Sequence, residues 1–123
     1  MSFEDDVRAF VALVVGGDSV GAIERFYADE IEARENYAAP RVGKATALAY
    51  ERKMLAALTA PLRIEARAVT LDAAAGVSMI EWQLEFSAGG QPPKRLEEVA
   101  VQRWRNGKIV SERFYYEKMI DAG

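Results

Sequence analysis

The chain contains no cysteine and no histidine. Without cysteine there is no disulfide framework and no thiolate chemistry, and the redox compartment stays open. Without histidine the commonest general base and the commonest metal ligand are both missing. Any catalysis would fall to Asp, Glu, Lys, Tyr, Arg or backbone groups. No Asp-rich loop offers a hard-cation site. The stretch "VVGGDS" lacks the preceding strand and the Lys-Ser/Thr end of a phosphate loop. Neither a metal nor a cofactor is therefore expected. The formal net charge is -3, from 16 Lys and Arg against 19 Asp and Glu, without the concentrated basic face of a nucleic-acid binder. No nucleic-acid partner is expected. Uncharged runs such as Ala9 to Gly17 are too short to span a bilayer. The start, "MSFEDDVRAF", is acidic where a signal peptide is basic and then apolar. The expectation is a cytoplasmic protein with no membrane partner.

What the sequence does contain is 123 residues, half of them hydrophobic and 28% charged. That suits one domain spanning residues 1–123, long enough to bury roughly two-thirds of its unfolded surface. Ser2 followed three positions later by Asp5 is a reciprocal capping signature. Phe3, Val7, Phe10, Val11 and Val14 then recur at helical spacing. "GGDS" ends this helix, and Asp18 or Ser19 caps a second one over Val20–Tyr27. "EIEARENY" reads as extended and "AAPRVGK" as a turn-rich connection. Lys44–Leu58 is composed of good helix formers, with Ala47, Tyr50, Met54 and Leu58 on one face.

Beyond Pro61 the period changes from helical to alternating. "LRIEARA" sets Leu62, Ile64, Ala66 and Ala68 against Arg63, Glu65 and Arg67. "SMIEWQLEF" sets Ile80, Trp82, Leu84 and Phe86 against Glu81, Gln83 and Glu85. These are half-buried antiparallel strands. "RLEEVAVQRWR" and "IVSERFYYE" follow, joined by the hairpin signal "NGK". Helices first and hairpins afterwards make an α+β fold. One polar and one apolar face per strand leaves three N-terminal helices to cover one side of a strongly curved, mainly antiparallel sheet. Such a sheet leaves a conical cavity where small-molecule sites form.

The order of elements, with "FYADEIEARENY" after the second helix, the "APRVGK" connection and "VQRWRNGKIVSERFYYEK" near the end, resembles the nuclear transport factor 2-like superfamily, in its SnoaL-like and ketosteroid isomerase-like branch. The resemblance runs from Val7 to about Lys118. It implies a cystatin-like cone, reused for isomerases, cyclases, dehydratases, epoxide hydrolases and non-catalytic binding modules, so it fixes the fold rather than the reaction. In the steroid isomerases an aspartate general base lies six residues beyond the Asp of "YAD"; six beyond Asp29 stands Glu35. The tyrosine and the neutral carboxylic acid that hold the enolate in those enzymes align with Phe10 and Val101, neither of which donates a hydrogen bond. The resemblance thus keeps the base and removes the oxyanion hole of a steroid isomerase.

The same alignment turns Glu112, Phe114 and Tyr116 toward the cavity, and brings Arg103 inward within reach of Glu112. Trp82 walls the cavity and Tyr50 approaches from the long helix, beside Met54. The candidate catalytic set is therefore Glu35, Arg103, Glu112 and Tyr116. The candidate ligand-binding set is Phe10, Tyr50, Met54, Trp82, Val101 and Phe114. Each has a plainer reading: Glu35 as a carboxylate paired with an arginine, Arg103 with Glu112 as a structural ion pair, and the tyrosines as core aromatics. On the outer face Val69, Leu71 and Tyr115 add apolar surface among charges, which implies a homodimer packed through the sheet. The expected partner is a small apolar molecule. Two functions fit: a cofactor-independent isomerase, cyclase or hydrolase with Glu35 as base, or a non-catalytic ligand-binding or interaction domain.

Overall fold

The computed structural model describes residues 2–122. Helix α1 is Phe3–Val15. Its start is the reciprocal cap expected: the Asp5 N–H donates to Ser2 Oγ and the Ser2 N–H donates to the Asp5 carboxylate, both at 3.1 Å. Val7 and Phe10 are its buried stripe. Helix α2 is Ser19–Phe26, capped by the Asp18 carboxylate accepting from the Gly21 N–H at 2.9 Å, and it buries Ala22, Ile23 and Phe26. Helix α3 is Lys44–Ala56. It begins after Gly43, whose φ of 100° suits glycine and whose N–H donates to the Ile31 carbonyl at 2.8 Å. The helix stops short of the expected Leu58, ending at Ala56 with Ala57 as its C-cap. Leu58 instead bridges Ala88.

The strands are β1 (Tyr27–Glu35), β2 (Arg41–Val42), β3 (Arg63–Asp72), β4 (Val77–Phe86), β5 (Lys94–Arg105), β6 (Lys108–Tyr115) and β7 (Ile120–Asp121). They form a curved, unclosed sheet in the order β2-β1-β6-β5-β4-β3, with β7 added against β5. Among the described residues only β1 and β6 pair in parallel. The β5–β6 hairpin turns on Asn106 and Gly107, both at positive φ (53° and 75°), as the Asn-Gly signal requires. The three helices cover one face of the sheet. Between the layers, the rings of Phe10, Phe26 and Trp104 meet edge to face at 5.7–6.1 Å, and Ile31, Ile80 and Ile109 are fully buried. Among the described residues no helix is long and apolar enough to cross a membrane.

Two expectations about facing fail, each for a reason visible in the register. In β3 the partner of Ala66 is Trp82 and the partner of Ala68 is Glu81, so Arg67 is an extra residue. This bulge reverses the alternation beyond it. Val69 and Leu71 therefore pack on the core instead of extending the outer face, and Ala68 is exposed. In β5 the ladder to β4 runs unbroken from Lys94 to Arg103. Leu96, Ala100 and Trp104 face the core, so Glu98 and Gln102 share their side. Val101 and Arg103 belong to the opposite parity and point outward.

Candidate functional site

A cavity opens between α2, α3 and the inner face of the sheet. It has two adjoining lobes of about 180 and 490 Å³ that share Ile23, Tyr27, Leu55, Leu84, Glu98 and Phe114. Glu35, Tyr50 and Met54 line the smaller lobe, and Phe10, Trp82 and Glu112 the larger. Phe114 faces both. Seven of the ten residues singled out from the sequence thus meet at one place. Tyr116 stands just past the end of β6, where its N–H donates to Asn36 Oδ1 at 3.1 Å. Burial and the nearby Glu35 charge raise its phenol pKa. Arg103 and Val101 lie on the outer face, lining a separate groove. Arg103 is therefore not the partner of Glu112, and Val101 does not touch the cavity.

Glu35 ends β1, and the partner it has is Arg41, which the turn-rich connection folds back over it. Both guanidinium nitrogens Nη1 and Nη2 bond to the Glu35 carboxylate, the second at 3.4 Å. The guanidinium also lies flat on the Tyr50 ring, 3.8 Å from its centroid. Burial opposes the Arg41 charge, but the hydrogen bond and charge of Glu35 outweigh it and raise the pKa. Tyr50 is held in its neutral form by burial and by Glu35.

Glu98 is the residue the sequence reading passed over. It projects from the middle of β5 into both lobes. Among the described residues it has no hydrogen bond or ion pair. Burial is the largest influence on it, followed by the charges of Glu112, Glu35 and Glu51, and together they push its pKa up to about 8. That shift favours the protonated acid at neutral pH, the form able to donate a hydrogen bond inside the chamber. The signal that finds it is strand parity: counting by twos from Leu96 or Trp104 reaches Glu98, whereas its neighbour Glu97 reaches solvent.

Glu112, only 2% exposed, sits in a buried polar chain. The Tyr27 hydroxyl donates to one carboxylate oxygen and Gln102 Nε2 to the other at 2.6 Å. The Ser78 hydroxyl donates to Gln102 Oε1 at 2.7 Å, and Trp104 Nε1 donates to Ser78 Oγ at 2.9 Å. Burial raises the Glu112 pKa, while the Tyr27 and Gln102 hydrogen bonds act in the opposite direction. The same burial holds Tyr27 as a phenol. Because each polar group here has a partner, the chain fixes how β1, β4, β5 and β6 meet beneath the larger lobe. Tyr27→Phe removes one donor from a buried acceptor, so it is expected to cost about 1–3 kcal/mol. Urea unfolding would measure this as a lower midpoint at unchanged slope.

The fold and cavity together define a helix-covered cone holding acids and tyrosines among apolar side chains. The profile of the SnoaL-like domain matches residues 7–112. The chain belongs to the SnoaL-like family, within the nuclear transport factor 2-like superfamily. Among solved structures it is similar to a protein from Mesorhizobium loti provisionally assigned as a SnoaL-like polyketide cyclase. The TM-score is 0.78 at 23% identity, covering 94% of this chain and 100% of that one. A protein from Jannaschia sp. CCS1 with the same provisional assignment gives 0.76 at 11% identity, covering 92% and 86%. An epoxide hydrolase of LEH-like type from M. tuberculosis gives 0.75 at 13%, covering 93% and 84%. At these identities the likeness is one of fold. No curated protein sequence matches this one.

Proposed function

We propose that the cavity takes a small, largely apolar compound bearing a carbonyl or epoxide oxygen, and that the protein isomerises, cyclises or hydrolyses it without a cofactor. The observation that carries this reading is Glu98, an acid without a hydrogen-bond partner among the described residues that projects into the chamber holding the Glu35–Arg41 pair, where burial raises its pKa. Glu98 donates to the substrate oxygen where negative charge develops, with Tyr50 beside the same lobe. Glu35 is the general base, turned and held by Arg41. A donor and an acceptor in one chamber supply both halves of a proton transfer. The cyclase and epoxide hydrolase assignments of the similar structures support the substrate class.

A second reading is a binding domain without turnover. It is favoured by Arg41 bonding to both Glu35 oxygens, which commits the carboxylate to an ion pair and leaves only its remaining lone pairs for a substrate proton. Under either reading the cytoplasm is the proposed location and a second copy the proposed partner. That copy would pack on the outer-face patch of Met79 and Val99, which are 42% and 39% exposed.

The test is a melting-temperature screen with small ketones, lactones and epoxides. A ligand present at a hundred times its dissociation constant stabilises the native state by about 2.7 kcal/mol, a rise of several degrees. Turnover of the stabilising compound supports the enzyme, and stabilisation without turnover supports the binding domain. A panel with no stabilising member removes the proposed substrate class.

A further inference from the structure

The outer face of the sheet carries a second feature that the cavity does not explain. Arg34, Arg103 and Arg113 come from three adjacent strands, β1, β5 and β6, and line one groove of about 280 Å³ with Ser111, Tyr115 and Glu32. Arg34 and Arg113 are direct neighbours across the parallel β1–β6 ladder, and Arg103 pairs with Ser111 across the β5–β6 ladder. Like charges directly opposite one another destabilise a sheet. Of the other eight arginines, six (Arg8, Arg41, Arg52, Arg63, Arg67 and Arg95) lie within 4.0 Å of a carboxylate. Among the described residues the three groove arginines have no such partner. Glu32 is the one acid in the lining, so three positive charges meet one negative in a chain whose net charge is -3.

The arginines are also held in place. The Nε–H groups of Arg34 and Arg113 both donate to the Asn36 carbonyl, at 3.2 and 2.9 Å. Asn36 stands at a φ of 49°, so the turn after β1 presents that carbonyl to both side chains. The Arg113 guanidinium lies against the rings of Tyr37 and Tyr115, 5.0 and 4.6 Å from their centroids. Anchoring through Nε leaves the terminal nitrogens of both side chains free for an oxyanion, with less side-chain entropy to lose on binding.

We propose that this groove binds a phosphate monoester. A carboxylate presents two oxygens and satisfies one guanidinium fork, whereas a phosphate monoester presents three outward oxygens to three separate arginines. Ser111 adds a hydroxyl within the groove and Tyr115 an aromatic wall beside it.

The experiment is an NMR titration of the whole protein with phenyl phosphate, and with benzoate as the carboxylate comparator. Saturable shifts of the Ser111 and Arg113 amides are expected with phenyl phosphate, at an affinity at least tenfold above that for benzoate. Arg103 forms no hydrogen bond among the described residues, so Arg103→Ala leaves the fold unchanged and is expected to weaken phenyl phosphate binding at least tenfold. Arg103→Lys, which keeps the charge and loses the fork, falls between. The proposal is overturned by any of four results: no saturation, equal affinity for benzoate, unchanged affinity in Arg103→Ala, or shifts confined to the cavity residues. Where unchanged affinity in Arg103→Ala comes with an altered sedimenting mass, a second copy of the chain occupies the groove.

Discussion

The melting temperature of the native protein is expected to fall as pH rises from about 5 to about 8.5, and that of Glu98→Gln to fall much less. The sign follows from the folded pKa of Glu98, about 8, lying above the ordinary 4.5. Below pH 4.5 the carboxyl is protonated whether folded or unfolded, and its burial carries no ionisation penalty. Between 4.5 and about 8 the unfolded chain loses the proton and the folded one keeps it, so stability declines by at most about 1.4 kcal/mol for each pH unit. Above about 8 both states are ionised and the decline ends. Glutamine has the same shape and no proton to lose. The difference between the two proteins should therefore be several kcal/mol at pH 8.5 and near zero at pH 4.5. Parallel curves for the two would show that Glu98 ionises normally and reaches water, and the acid role assigned to it would go with that result. If the protein turns over its substrate, the rate should fall through the same upper pH range, since only protonated Glu98 donates.

Glu35→Gln is expected to lower turnover by about 10²–10⁴-fold, the usual contribution of a positioned general base. Glutamine still offers an oxygen to Arg41, so the guanidinium stays on Tyr50 and the native fold is retained. Steady-state rates at saturating substrate, with the melting temperature measured alongside, separate the two effects. Turnover equal to that of the native protein would remove Glu35 as base and leave the binding reading. A proportionate loss of rate and stability together would mark a structural role for the ion pair.

Much of the fold was legible in the sequence because it rests on local chemistry. Ser2 with Asp5, Asp18, and Asn106-Gly107 each announce a helix start or a turn by bonds made within a few residues. The alternation of Ile80, Trp82 and Leu84 sets the inner face of β4 without ambiguity. What was not legible depends on parity carried over distance. A one-residue bulge at Arg67 turns Val69 and Leu71 inward, and nothing in "EARAVTL" marks it, since Ala68 fits either face. In β5 the run "EEVAV" offers two acids and three small apolar residues, and alignment to Val101 selected the wrong parity where Trp104 would have selected the right one. The cavity position of Glu35 was readable, but its partner was not. Arg41 sits in a connection whose path is set by Gly43 and by β2 pairing with β1, not by any period of its own.

The parallel ladder between β1 and β6 joins residues from opposite ends of the chain: Ala33 lies beside Glu112, 79 positions away (112 − 33). Closing so long a loop adds little to the equilibrium cost, because loop entropy grows only logarithmically. It weighs heavily on rate, since non-local pairings form slowly. Glu35 is carried by β1, while Glu98 and Glu112 come from the β4–β5–β6 meander. A ribosome-bound chain can assemble its first two helices early, yet the chamber gains its acid on one wall and its base on the other only after synthesis has passed residue 115. Function in this cone is therefore acquired in a single late event.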